Sequence, residues 1–339
     1  MERISLENDE LEGANNVYLF DTATETVLID TGEQSRESAL RAALENHEVT
    51  VADIDEIFLT HWHPDHSGLA GVLQETSGAT VRIHECDAPL ARADEEVWES
   101  YTSTQQSRLE SWGVPAAKRQ QLFAHRERAE VAEYPSVSSV TTFGDGETFT
   151  IGDQILEVRH TPGHTAGSVC FALGRSTTDA TGRREIITGD TLLPNYTPNI
   201  GGTDARLDQP LDQYLSSLRY LEAAEYDCGW PGHRTPIANP SNRARQIIAH
   251  HEQRAGRILS ILDRIGPADV WTVCTELFGG LDGFHILVGA GEAYAHLEHL
   301  QQQGDVESVD GTYRAVDEVL AALDSDSDTW PLAIGDRSV

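Results

Sequence analysis

The chain has 339 residues, enough to bury one full hydrophobic core and to carry a second, smaller domain. Its formal net charge of -32 comes from 56 acidic residues against 24 basic ones, and the basic residues include a single lysine, Lys118. This acidic excess argues against a polyanionic partner such as nucleic acid, and the absence of any run of 18 apolar residues argues against a membrane span.

Short apolar strands alternate with helical patterns through the first 84 residues. Strands are predicted at 16–20, 26–30, 55–60 and 80–84, and helices at 35–47 and 67–76. Such alternation is typical of a layered α/β domain.

The strand at 55–60 leads directly into three histidines and an aspartate: His61, His63, Asp65 and His66. Strand residues alternate sides, so His61 and His63 can point the same way, while Pro64 stops the strand and turns the next two residues towards the same space. Imidazole and carboxylate at this density suit zinc, or manganese and iron, better than magnesium or calcium. The segment therefore predicts a metal site rather than a polar turn that happens to be rich in histidine.

Residues from about 88 to 139 interrupt the alternation of strand and helix. Trp98, Tyr101, Gln105, Leu109 and Trp112 recur at helical spacing. Two interpretations stay open: a wall of a substrate pocket, or a helical insertion that packs its own apolar stripe.

Three later segments have the form of a short strand that ends in a ligand-type residue beside glycine: His164, Asp190 and His233. Glycine permits the tight turn that presents a side chain beyond a strand end. With the first cluster, five histidines and two aspartates are available, enough for two metals that share one carboxylate. A further strand pair around glycine turns is predicted at 143–152.

The order of these motifs resembles the metallo-β-lactamase superfamily. The resemblance rests on HxHxDH at 61–66, GHT at 163–165, GD at 189–190 and GH at 232–233, together with LIDTG at 28–32, and covers about the first 235 residues. It implies a fold of mixed helix and strand, α/β in the broad sense and α+β in the narrower one. This fold is a four-layer αββα sandwich, in which two sheets pack face to face and helices lie outside. The motifs are specific for fold and metal site and much less so for substrate.

The resemblance also implies a role for each ligand. His61, His63 and His164 would hold a first metal, Asp65, His66 and His233 a second, and Asp190 would bridge both. The implied cofactor is two Zn²⁺ per chain, with iron or manganese as alternatives. A hydroxide shared by two cations is available at neutral pH, and the catalytic residues Asp65 and Asp190 would orient it.

Other candidates are substrate contacts or supports of the ligands. A Pro- and Gly-rich loop after Asp190 offers Asn195, Tyr196 and Asn199 as substrate contacts, although it also fits a surface connection to a helix at 212–223. His251 is a further candidate for substrate binding, and His160 is a candidate to support the ligand His164 from behind. Histidines outside the ligand motifs are more often surface residues, or core residues whose hydrogen bonds are satisfied, than functional ones.

The catalytic domain is predicted to span 1–238 and a second domain 239–322, followed by an acidic tail at 323–339. Helices at 243–265, 271–278 and 287–303 precede a small β-wing at 305–316, an arrangement that resembles a winged helix. The helix at 287–303 has no lysine or arginine, which argues against duplex binding and favours a lid or dimerisation domain. A small-molecule substrate, no membrane and a homodimer are the expected associations.

The extreme acidity resembles the composition of haloarchaeal proteins, because concentrated salt screens repulsion among carboxylates. An ordinary acidic protein is the alternative. Four widely spaced cysteines and an N-terminus without an apolar segment predict a reducing compartment, the cytoplasm.

Four functions compete. The first is a dinuclear zinc hydrolase of a small ester, thioester or lactone, similar to glyoxalase II. The second is a metal-dependent endoribonuclease, because the short helical C-terminal domain resembles that of the animal lactamase-beta-like endoribonuclease. The third is a mononuclear iron persulfide dioxygenase, and the fourth is a non-enzymatic binding protein that keeps the fold. The complete ligand set favours the first.

Overall fold

The computed structural model describes residues 1–7, 13–128, 137–175, 183–323 and 329–334, without the side chains of residues 125–128 and 175. The chain divides into two compact units, each assembled from separate stretches of sequence. The first contains residues 1–98, 133–198 and 220–244, and the second 99–132, 199–219 and 245–339. Most of the predicted insertion thus belongs to the second unit.

A six-stranded sheet of the first unit contains the strand that precedes the histidine cluster. In spatial order its strands are β1 (Glu2–Leu6), β2 (Asn15–Asp21), β3 (Thr26–Ile29), β4 (Glu56–Phe58), β5 (Thr80–His84) and β6 (Val140–Phe143). Strands β3 to β6 run parallel, so their carboxyl ends lie at one edge of the sheet. The predicted strands between residues 16 and 84 are confirmed.

A five-stranded sheet completes the first unit. In spatial order its strands are β11 (Cys228–Pro231), β10 (Glu185–Gly189), β9 (Val169–Arg175), β8 (Gln154–His160) and β7 (Thr148–Ile151). The predicted strand pair at 143–152 is wrong in its pairing, because β6 lies in the first sheet and β7 pairs with β8. The Gly144–Gly146 turn carries the chain from one sheet to the other, and Phe143 and Ile151 face one core from opposite sides.

The main core lies between these two sheets. Phe58 of the first sheet contacts Phe171 of the second with ring centroids 5.9 Å apart, and Phe143 contacts the same ring at 5.8 Å. Each such aromatic pair contributes about 0.5 to 1.5 kcal/mol beyond the apolar area it buries. The two-sheet core confirms the predicted packing of sheet on sheet, and it fixes the strand ends from which the candidate ligands project.

Helices account for most of the remaining structure. They are α1 (Glu37–Asn46), α2 (Pro64–Ser67), α3 (Ala70–Ser77), α4 (Ala88–Ala91), α5 (Glu95–Ser111), α6 (Ala116–Arg128), α7 (Pro210–Ala223), α8 (Pro240–Ile265), α9 (Val270–Phe278), α10 (His285–Gln303) and α11 (Asp317–Ala322). Short 3₁₀ turns occupy Gln34–Arg36 and Val51–Asp53. Within the described ranges, none of the helices combines the length and apolar character needed to cross a bilayer.

The second unit is mainly helical. Helices α8, α9 and α10 precede a hairpin of β12 (Val306–Val309) and β13 (Thr312–Ala315), which confirms the predicted order of three helices and a β-wing. The resemblance to a winged helix stays a prediction. Most of the predicted acidic tail, residues 324–328 and 335–339, lies outside the described residues.

The aromatic stripe of the predicted insertion is buried. The Tyr101 hydroxyl donates to the Thr203 carbonyl at 2.8 Å, and the Trp112 ring stacks on Tyr294 at 4.9 Å inside the second unit. The Trp98 indole packs against Trp62 at 5.3 Å inside the first unit. These contacts favour an insertion that packs its own apolar stripe.

Candidate metal centre

Four loops of the first unit bring the predicted ligands together, and each loop follows the carboxyl end of a strand. Residues 61–66 follow β4, His164 follows β8, Asp190 follows β10 and His233 follows β11. Their ligand atoms form overlapping groups in which all atoms lie within 4.8 Å of one another. The seven side chains predicted from sequence are therefore neighbours in the fold.

Three imidazoles form the first group. The Nε2 atom of His61 lies 3.1 Å from Nδ1 of His63, and Nε2 of His164 lies 3.0 Å from that same Nδ1. Four-coordinate zinc with metal–nitrogen bonds of about 2.0 to 2.1 Å places its nitrogen ligands about 3.3 Å apart. The observed separations fit one small cation held by three nitrogens.

The second group combines a carboxylate with two imidazoles. Asp65 Oδ2 lies 3.3 Å from His233 Nε2 and 3.7 Å from His66 Nε2. Nitrogen and oxygen at these distances suit a borderline-soft divalent cation better than calcium, which prefers six to eight oxygens.

Asp190 stands between the two groups. Its Oδ1 lies 3.4 Å from His66 Nε2, and its Oδ2 lies 3.4 Å from His233 Nε2 and 3.8 Å from His164 Nε2. Among the described residues, His66 Nε2 and Asp190 Oδ1 are buried and have no hydrogen-bond partner apart from their 3.4 Å ion pair with each other. Buried polar atoms normally have a partner, so these two atoms are best explained as ligands of a cation.

Two buried carboxylates and the imidazoles beside them set the electrostatics of the centre. Burial alone would raise the pKa of Asp65 and Asp190, but the imidazoles of His66 and His233 outweigh it and hold both pKa values below their usual range. The two carboxylates in turn raise the pKa of His66 and His233 against the effect of burial. Burial, followed by the neighbouring imidazoles, lowers the pKa of His61, so this ring stays neutral as a metal ligand requires.

Asp30 connects the two groups from behind, and the sequence reasoning assigned it no role. Its Oδ2 lies 2.8 Å from His66 Nδ1 and also accepts the Thr60 hydroxyl at 2.8 Å. The Thr60 hydroxyl lies 3.0 Å from His61 Nδ1. Asp30 has a backbone φ of 58°, a strained conformation that is kept where the surrounding structure requires it. One carboxylate thus orients an imidazole in each group. In the sequence, the signal for a role of Asp30 was its place in the LIDTG motif at 28–32.

Glycine is required where the loops pack most closely. A Cβ atom at Gly232 would lie 2.4 Å from Asp190 Oδ1 and 2.5 Å from His66 Cε1. Gly189 has a φ of 46°, and a Cβ there would lie 2.8 Å from the Thr60 Cβ. Two of the three glycines that the sequence placed beside ligands, Gly189 and Gly232, are therefore explained by close approach.

A second residue missed from sequence holds the Asp65 side of the centre. Asn15 donates its amide to the Asp65 carbonyl at 2.9 Å and to Asp65 Oδ2 at 3.2 Å. His233 Nδ1 lies 3.3 Å from the Gly13 carbonyl. The segment at the start of β2 therefore supports two ligands, Asp65 and His233.

The candidate supports and substrate contacts differ in their surroundings. His160 Nε2 lies 2.9 Å from the Ala166 carbonyl and its ring stacks on His84 at 4.1 Å, so it braces the loop that contains His164. Asn195 is exposed, and the Tyr196 ring lies 5.1 Å below the Arg234 guanidinium. All of these residues lie in the first unit.

Asn199 and His251 lie in the second unit and take part in a buried network there. Asn199 donates to the Val288 carbonyl at 2.9 Å and to Glu292 at 3.2 Å. His251 Nδ1 lies 3.1 Å from His296 Nε2, and burial, then His296, lowers its pKa. Their role as substrate contacts stays a prediction.

His251, Glu292 and His296 also lie close enough together to hold a cation. Glu292 is already ion-paired with Arg254, whose positive charge opposes a second cation. A hydrogen bond between His251 Nδ1 and His296 Nε2 accounts for those two nitrogens without a metal.

Comparison with known proteins agrees with this geometry. A family profile described as "Metallo-beta-lactamase superfamily" matches residues 11–233. The atrochrysone carboxyl ACP thioesterase of Aspergillus fumigatus is 25% identical over 259 residues, which cover 76% of this chain and 62% of that protein. A probable metallo-hydrolase of Bacillus subtilis is 26% identical over 290 residues, 83% of this chain and 86% of that protein. The chain spans 55% to 62% of the length of three fungal relatives that it matches.

Solved structures show the same fold. A metallo-beta-lactamase family protein from Thermus thermophilus matches with a TM-score of 0.76 and 27% identity, covering 93% of this chain and 98% of that chain. A beta-lactamase domain protein from Burkholderia ambifaria matches with a TM-score of 0.70 and 21% identity, covering 93% and 91%. The predicted fold class is confirmed.

Proposed function

Because the chain belongs to the metallo-beta-lactamase superfamily, we propose that it is a metal-dependent hydrolase with two zinc ions per chain that cleaves a small thioester, ester or lactone. The observation that carries the proposal is Asp190, whose two oxygens lie 3.4 Å from His66 and His233 and 3.8 Å from His164. A buried carboxylate that faces imidazoles of both groups is suited to bridge two cations.

In this proposal each cation has three ligands of its own and shares the bridge. His61, His63 and His164 would hold one, Asp65, His66 and His233 would hold the other, and Asp190 would serve both. Zinc suits this mixture of imidazole and carboxylate, and manganese or iron could occupy the same ligands. Divalent cations bound there would supply a hydroxide nucleophile at neutral pH and polarise the carbonyl under attack.

The protein's own groups orient the reaction. Asp65 and Asp190 have low pKa values, so they are ionised and can accept a hydrogen bond from the attacking water. Asp30 fixes His66 through Nδ1 and supports His61 through Thr60, which keeps the ligand nitrogens of both imidazoles directed at the centre.

A thioester is the substrate class that the relatives favour. Two fungal relatives are named as thioesterases, at 25% identity each. Asn195 and Tyr196, in the loop that follows Asp190, are the proposed substrate contacts on the first unit. The acidic excess of the chain argues against the endoribonuclease alternative, because a polyanion would meet repulsion at low salt.

A substrate panel tests the proposal. Protein purified in molar potassium chloride is assayed with thioester, ester, lactone, β-lactam, persulfide and RNA substrates, beside a His63→Ala variant. We expect cleavage of a thioester that is lost in the variant. RNA cleavage or persulfide oxidation that depends on His63, with no hydrolysis of thioester, ester or lactone, would replace the proposed function with one of its alternatives.

A further inference from the structure

Asp87 is a buried carboxylate that joins two loops of the candidate metal centre. It follows β5, and its side chain is fully buried. Its Oδ2 accepts the backbone N–H of Trp62 at 3.3 Å and the Thr165 hydroxyl at 2.8 Å. Its Oδ1 accepts the backbone N–H of Gly167 at 2.9 Å. One side chain therefore accepts hydrogen bonds from two loops that are far apart in sequence.

These two loops carry different ligands of the three-imidazole group. Trp62 lies between His61 and His63, and Thr165 follows His164. The distance that the carboxylate controls is therefore the one between His63 Nδ1 and His164 Nε2, which is 3.0 Å.

The contact is too close to be incidental. A Cβ atom at Gly167 would lie 2.5 Å from Asp87 Cγ, so the backbone of the second loop packs directly on the carboxylate. Thr165 is held from its other side as well, because its hydroxyl lies 2.7 Å from the Ser168 hydroxyl. Burying an ionised carboxylate is costly unless hydrogen bonds compensate, and here the compensating donors come from the ligand loops themselves.

We propose that Asp87 is a positioning residue that sets the separation of His63 and His164 and thereby the cation affinity of the three-imidazole group. This inference rests on the proposed function, in which that group holds one of two cations. The group of Asp65, His66 and His233 is oriented by other residues, Asp30 and Asn15. Loss of Asp87 therefore weakens one site and leaves the other unchanged.

Asp87→Asn is the informative variant, because the amide keeps the shape of the carboxylate but places an N–H donor where a carboxylate oxygen accepts a hydrogen bond. The intact chain in molar potassium chloride is titrated with cobalt(II) and followed by visible absorption. His63→Ala and His233→Ala identify which binding step belongs to which group. We expect the step that is lost in His63→Ala to weaken by about 10 to 100 fold in Asp87→Asn, with the other step unchanged.

Asp55→Asn is the matched control, because Asp55 also accepts a backbone N–H, that of Thr26 at 2.9 Å, at a place without ligands. It should leave both steps intact. If Asp87→Asn does not fold by circular dichroism, Thr165→Val carries the test, because it removes the hydroxyl that donates to Asp87, together with its contact to Ser168, and should weaken the same step by less.

The possible outcomes separate this inference from the function on which it rests. Equal weakening of both steps, or no change in either step of a folded variant, would overturn the role of Asp87. A wild-type chain that binds no cobalt(II) would overturn the proposed function itself.

Discussion

Replacing Gly232 with alanine tests whether the bridging carboxylate lies where the structure places it. The added Cβ would lie 2.4 Å from Asp190 Oδ1 and 2.5 Å from His66 Cε1, whereas ordinary contact begins at 3.4 Å. The carboxylate or the ring must therefore move by about 1 Å, and a displacement of this size at a catalytic centre costs roughly 100-fold in rate. We expect Gly232→Ala to lose about that factor in kcat/KM and to bind its cations more weakly.

The assay combines elemental analysis, steady-state kinetics on the best thioester of the panel, and the thermal midpoint of unfolding. Gly280→Ala is the matched control, because a Cβ at that residue meets nothing within 4 Å and its backbone needs no positive φ. The control should behave like the wild type in all three measurements. A Gly232→Ala protein with the full metal content and the wild-type rate would refute the close packing of Gly232 on Asp190.

Three further predictions concern the ligand support, the surface charge and a buried histidine. Asp30→Asn should lower metal affinity by about 10 to 100 fold, measured by competition with a chromophoric chelator, and unchanged affinity would show that His66 needs no carboxylate behind it. The thermal midpoint and the rate should rise towards molar potassium chloride, because the Debye length falls to about 3 Å at 1 M, and a decline of both would contradict a repulsive acidic surface. Burial, followed by His160, lowers the pKa of His84 from 6.5 to about 4. Between these two pKa values the unfolded chain therefore binds more protons than the folded chain. As the pH falls through this range, the free energy of unfolding of metal-free protein, measured by urea titration, should fall by up to about 3 kcal/mol. His84→Gln should reduce this loss.

The ligands could be predicted from sequence because each lies in a local pattern. A short apolar strand, a glycine turn and a histidine or aspartate recur at residues 164, 190 and 233, and the fold brings the strand ends together. The helix predicted at 243–265 likewise ends where α8 does, at Ile265, because Gly266 and Pro267 follow it. The assignment of each ligand to one of two cations is still a prediction.

The residues that orient the ligands depend on contacts between distant segments. Asp30 reaches Thr60 because β3 and β4 pair in parallel, with Ile29 opposite Phe58. Asp87 bonds Thr165 and Gly167, which are 78 and 80 residues away. Hydrophobic periodicity predicts strands but not their neighbours, so the LIDTG motif marked Asp30 without showing its contacts, and no local pattern marked Asp87.

The strand pair at 143–152 was mispredicted for a related reason. A glycine turn between two short apolar runs is a local signal for a hairpin. In the fold, Phe143 and Ile151 enter the same core from opposite sheets, and burial of both side chains decides the pairing. The strand β1 was missed although Ile4 and Leu6 alternate with polar residues, because five residues give a weak periodic signal.

The metal content of the wild type and of Asp190→Ala, purified in molar salt and loaded with zinc, tests the central claim most directly. We expect two cations per wild-type chain and a loss of both activity and most of the metal in Asp190→Ala, because one carboxylate serves both groups. A wild-type chain that holds one cation after loading, or an Asp190→Ala chain that keeps two cations and the wild-type rate, would contradict the shared bridge.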